Sequence, residues 1–108
     1  MYIKIFQIDR DKDNNRLWLC ALDTVKRVAG RVPREIYDMV YEGDVPCSDL
    51  EAVYTMFKQA DHPNKDTVTK LHVSDVVAIC NPKSGAETYY YCNHIGFEKI
   101  RFQKLPTK

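Results

Sequence analysis

Asp75 stands in the densest β-branched run of the chain, His72-Val73-Ser74-Asp75-Val76-Val77-Ala78-Ile79. An ionised carboxylate inside an apolar strand needs a partner, because burial without one is costly. Two roles fit it. It can be an acid/base or ligand-contacting group. Alternatively, Ser74-Asp75 sits at the start of the strand and bonds backbone amides of the preceding loop, which is the commoner use of such a pair. Cys92 and His94 lie two apart, so a strand would put them on one face. With His72 or Asp75 across a sheet they would mimic a Cys–His nucleophile pair, which needs a thiolate beside an imidazole. They would equally suit part of a zinc site, which needs four converging ligands. Neither spacing is specific, and free buried cysteine is common as a small hydrophobe. No catalytic residue, metal ligand or cofactor is therefore assigned.

Tyr89-Tyr90-Tyr91 is an aromatic strand. Exposed rings on a sheet can stack nucleic-acid bases, and aromatics are enriched at protein interfaces. One face of an internal strand is core, so one or two of the three rings should be buried. Asp75, Tyr89, Tyr91, His94 and His72 are the binding candidates. Arg16, Lys26, Arg27, Arg31 and Arg34 form a local basic concentration, and Arg27, Arg31 and Arg34 would be its nucleic-acid contacts. Asp23 and Glu35 flank it, as on an ordinary solvated helix face. Lys99, Arg101, Lys104 and Lys108 read the same way.

The elements that must position these groups follow from periodicity. Tyr2 to Ile8 alternates, with Ile3, Ile5 and Gln7 on one side and Phe6 and Ile8 on the other, a strand pattern. Asp9 to Asn15 reads as a polar loop, and residues 16–19 as a short extended piece. Leu22, Val25, Val28 and Ala29 predict a helix over 22–29, stopped by Gly30. Pro33 to Ile36 suits a turn, and Tyr37 to Gly43 a strand with Tyr37, Met39 and Tyr41 on one face. Ser48 and Glu51 form a capping-box pattern. Leu50, Val53, Tyr54 and Phe57 then give one apolar stripe, predicting a helix over 48–60. Residues 73–80 and 87–93 predict a central hairpin around the turn formers at 81–85. Ile95, Phe97, Ile100 and Phe102 suggest a last strand. Helices and strands segregate, so the fold class is α+β with a mainly antiparallel sheet. The helix at 48–60 should meet Val77 and Ile79 or, if the face is reversed, Val76 and Ala78.

A chain of 108 residues is one domain by length and can bury a real core. Residues 1–103 are assigned to it and 104–108 to a polar tail. The net charge of +1 leaves no global field to steer polyanions. The four cysteines, at 20, 47, 80 and 92, form no C-x-x-C pair. With no apolar stretch of signal-peptide or membrane-spanning length, a cytoplasmic protein with reduced thiols is expected.

Ser74-Asp75-Val76-Val77, then a Tyr-rich strand, then Ile95-Gly96-Phe97 resembles the YodL-like domain family of small bacterial proteins. Ile5-Phe6-Gln7, Tyr37 to Gly43 and Leu50 to Phe57 resemble the family's other blocks, in the same order, and the likeness spans about residues 3–102. Two places depart from it. Thr69-Lys70-Leu71-His72-Val73 replaces a Gly-His-Ser-Leu-Ser lead-in, and Asn93-His94-Ile95 stands where an Asp precedes the Gly-Phe. The resemblance implies a bacterial cytoplasmic setting and a domain found alone or as a module, often in mobile elements. It supplies no catalytic residues. The expected function is a non-enzymatic protein-interaction module, and the alternative is nucleic-acid binding through the Tyr strand and the 26–34 cluster.

Overall fold

The computed structural model describes residues 1–58 and 70–102. Five strands among them form one antiparallel sheet: β1 (Tyr2–Ile8), β2 (Tyr37–Asp44), β3 (Val76–Cys80), β4 (Glu87–Cys92) and β5 (Phe97–Ile100). Their order is β2-β1-β3-β4-β5, so β3 is central and the expected 73–80/87–93 hairpin is its β3–β4 pair. Both faces of β1 and β3 are apolar, which suits interior strands covered on both sides. Helices fall between β1 and β2 and between β2 and β3, so the elements interleave more than the expected segregation. The sheet is wholly antiparallel, and the fold is α+β.

Each face carries its own core. Phe6, Ile8, Val76, Ala78 and Tyr91 pack with Leu22 and Val25 of helix α2 (Leu22–Ala29). Ile3, Ile5 and Val77 pack with Val53 and Phe57 of helix α3 (Leu50–Phe57). The apolar stripe of α3 thus selects the Val77 face of β3. Its cap lies one residue later than the capping-box pattern indicates. Asp49 is extended, and its side chain accepts from Ala52 N at 2.8 Å. A carboxylate is as good a cap as a serine hydroxyl, and it suits the positive helix end. The continuation to residue 60 lies outside the described residues, as does the tail 104–108.

The polar stretch expected as a loop contains a short helix, α1 (Arg10–Asp13). Asp9 caps it by accepting from the amides of Asp11 and Lys12, and Asn14 ends it at φ 56°. The side-chain bonds that compete with regular structure here serve a helix end instead. Residues 16–19 are not extended. Asp13 Oδ2 accepts from Leu17 N at 2.8 Å and Trp18 N at 2.9 Å and folds them into a turn. Asp13 is buried, so Asp13→Ala strands two donors and should cost about 1–3 kcal/mol for each. Urea denaturation checks this; a change within about 0.5 kcal/mol, normal for surface sites, would contradict it.

Two further expectations change. The β1–β2 register shifts between Ile5 and Phe6, which pair with Tyr41 and Met39. The extra residue, Val40, reverses the alternation. Tyr37 therefore joins the α2-side core, Tyr41 the α3-side core, and Met39 is half exposed. β3 begins at Val76 rather than Val73, because Ser74 takes φ 83° and residues 72–75 turn. That turn is tied to the end of β4: Ser74 N donates to Cys92 O at 3.0 Å and Cys92 N to Asp75 O at 2.8 Å.

Candidate functional site

Asp75 has no accessible surface. Its Oδ2 accepts from Gln7 Nε2 at 2.9 Å and from His72 N at 3.0 Å. The second bond is the loop amide that the structural reading of Ser74-Asp75 expects. His72 Nδ1 lies 3.1 Å from Oδ1 but bonds the Val73 carbonyl at 2.9 Å, which requires a proton on Nδ1. Oδ1 is left without a hydrogen bond among the described residues. Burial, only partly offset by the two donors on Oδ2, pushes the carboxyl up to about 8. The network anchors the 72–75 turn to β1, and Tyr37 adds a second tie by donating to Ser74 O at 2.7 Å.

Gln7, His72 and Trp18 line an open groove of about 500 Å³ with Arg10 and Asp38. Trp18 meets His72 edge-on with ring centroids 5.8 Å apart, and the Arg10 guanidinium covers Trp18 at 4.1 Å. Asp75 is not part of this lining. Its partners face the groove and the carboxyl does not.

The other candidates do not converge on Asp75. His94 is exposed on the β4–β5 turn, which Asn93 N closes on Gly96 O at 3.0 Å. It shares a cleft of only about 70 Å³ with Cys92. Burial pushes the Cys92 thiol up to about 12, so it holds no thiolate at neutral pH. Among the described residues, no group of three or more His, Cys, Asp or Glu could hold a metal.

The tyrosine strand is not an open stacking platform. Tyr91 is fully buried and donates to Cys20 O at 2.6 Å. Tyr89 is half-buried against Phe6 and Phe102, with ring centroids 6.3 and 5.3 Å away. The Arg34 guanidinium lies 5.1–5.5 Å from the centroids of Phe6, Tyr89 and Phe102, and Nη1 donates to Phe102 O at 3.0 Å. Arg34 is thus half-buried against the α2-side core, with its guanidinium engaged there. The chain fills its own aromatic cage.

Four of the other cations gather. Lys26 and Arg31, from the end of α2 and the loop after it, line a groove of about 460 Å³ with Lys99 and Arg101. Val32 and Ile100 contribute its apolar wall. Glu35 pairs with Arg31 through both oxygens, the longer contact 2.9 Å. Arg27 is exposed but does not line the groove. The groove runs beside β5, an edge of the sheet. Sequence reading found these two basic clusters but had no means to join them, since only the strand order brings β5 beside α2. It also passed over Gln7, whose signal was a polar residue on the apolar Ile3–Ile5 face.

A family model described as YodL-like domain matches residues 2–102. The chain belongs to the YodL-like domain family. No curated protein and no solved structure matches it. In this YodL-like domain the Ser74-Asp75-Val76-Val77 block makes the anchored turn and the start of β3. The Ile95-Gly96-Phe97 block makes the β4–β5 turn, where Gly96 takes φ 68°, a conformation glycine adopts without strain.

Proposed function

We propose that this YodL-like domain is a non-enzymatic protein-interaction module of a bacterial cytoplasmic protein, of the kind found in mobile-element proteins. The observation that carries it is the contrast between its two sheet edges. β2 is eight residues long, bulged, and lined with carboxylates already engaged: Asp38 with Lys12 at 2.8 Å and Glu42 with the Tyr2 hydroxyl at 2.8 Å. Bulges and charges are the usual guards of an edge strand. β5 is regular in its pairing with β4 and opens on the basic groove. An open strand edge with a flanking groove is a standard acceptor of extended peptide.

The four thiols are unpaired, which supports a reducing compartment. Nucleic-acid binding is less favoured, because Tyr91 is buried and Tyr89 is covered by Arg34 and Phe102. The test is affinity capture from bacterial lysate with and without nuclease, read by mass spectrometry. A stoichiometric protein partner that survives nuclease is expected. Recovery that vanishes with nuclease would replace this reading with nucleic-acid binding.

A further inference from the structure

We propose that the partner presents an acidic, extended segment that adds as a strand along β5, against the cations of the groove that flanks it. This rests on the interaction-module reading and names the chemistry of its partner. In an antiparallel ladder, alternate residues of the edge strand turn their N–H and C=O outward. No strand among the described residues lies beyond β5. An incoming strand would satisfy both kinds of group, whereas a phosphate backbone can accept from the N–H groups but has no donor for the C=O groups. That is the reason to favour peptide over nucleic acid.

The flanking groove supplies the charge preference. Phe97 packs on the α3 side, whereas Ile100 and Phe102 pack on the α2 side. Lys99 and Arg101 flank Ile100 and line the same groove as Lys26 and Arg31. On the α2 side the groove beside Ile100 is bordered by Lys26 and Arg31. An added strand therefore lies against positive charge along this groove. Glu35 is engaged by Arg31, and Glu98 is the one carboxylate of β5, so four cations stand against two carboxylates. Cross-strand pairs of opposite charge are favourable and like charges facing each other are not. The same lysine disfavours a second copy of this chain pairing β5 to β5, because Lys99 would face basic side chains.

The test is an NMR titration of the full isotope-labelled chain with a capped peptide alternating glutamate and valine. Amide shifts confined to Phe97–Arg101 and the Lys26–Val32 segment are expected, weakening as salt rises. A peptide with alternate backbone nitrogens methylated should lose binding. The K99E/R101E variant should bind at least about tenfold more weakly, a free-energy change of roughly 1.4 kcal/mol. Both positions are exposed, so the variant should fold, and its circular dichroism and melting should match the wild type. Equal binding of a lysine–valine peptide, shifts centred on β2, or unaltered binding by the methylated peptide would overturn the proposal. So would tighter binding of an oligo-dT at the same groove. If the acidic peptide fails while a nuclease-resistant partner still protects the β5 amides, the strand chemistry is wrong and the module reading stands. If no protein partner is captured at all, the module reading fails with it.

Discussion

Phe57→Ala is expected to lower the unfolding free energy by about 3–5 kcal/mol, the range for removing a fully buried aromatic ring. Phe57 has no accessible surface. Its ring lies 5.3 Å from that of Tyr41 and shares a core with Ile3, Ile5, Val53 and Val77. The helix that carries it has eight residues, too few to persist without tertiary packing. Its docking thus depends on the Val53–Phe57 stripe. Urea denaturation should show a lower midpoint with an unchanged slope. A cost within about 0.5 kcal/mol would mean that α3 does not cover this face.

Stability should also fall as pH rises, and Asp75 should be the cause. Its carboxyl titrates near 3.9 in an unfolded chain, a typical value, and is pushed up to about 8 here, mainly by burial. The folded state therefore binds a proton that the unfolded state has released between those values. The stabilisation is full below about pH 4 and is lost as pH rises towards about 8, with a slope approaching 1.4 kcal/mol per pH unit. His72 faces the carboxyl at 3.1 Å, and Tyr37, Tyr91 and Cys92 also interact with it electrostatically, so the comparison must isolate Asp75. Asp75→Asn keeps an acceptor for Gln7 and for the His72 amide, cannot ionise, and should flatten the profile. Asp75→Ala strands both donors and should cost about 1–3 kcal/mol for each at every pH. Denaturant midpoints at a series of pH values for wild type and Asp75→Asn decide the matter. Parallel curves would show that the carboxyl does not titrate as its burial requires.

Much of the fold was legible because it rests on strong periodic signals. The two-sided alternation of Tyr2–Ile8, the run Val76–Ile79 and the stripe Leu50–Phe57 each have one natural burial solution. What escaped was local geometry with no composition of its own. A four-residue helix capped by Asp9 looks like a polar loop until Asp13 is seen holding Leu17 and Trp18. A bulge at Val40 reverses which tyrosines share a face, and nothing in Tyr37–Tyr41 marks it. Ser74 at φ 83° shortens β3, although serine gives no sign of a left-handed residue.

The candidate site divides the same way. Residue types identified Asp75 as a carboxyl in need of partners, and the loop-amide bond to His72 is of the kind expected. They could not tell that Tyr91 is the buried ring, that Arg34 lies among aromatic side chains, or that Lys26 and Arg31 border the same groove as Lys99 and Arg101. Those facts depend on strand order and register, which single-chain periodicity leaves open.

The most direct measurement places a photo-crosslinking residue at position 99 on β5 and, in a separate chain, at position 42 on β2. Both chains are expressed in bacteria, irradiated, and digested with nuclease. A discrete protein adduct from position 99 and none from position 42 is the predicted result. An adduct from position 42, or none from position 99, would contradict the account that β5 is the edge through which this domain engages its partner.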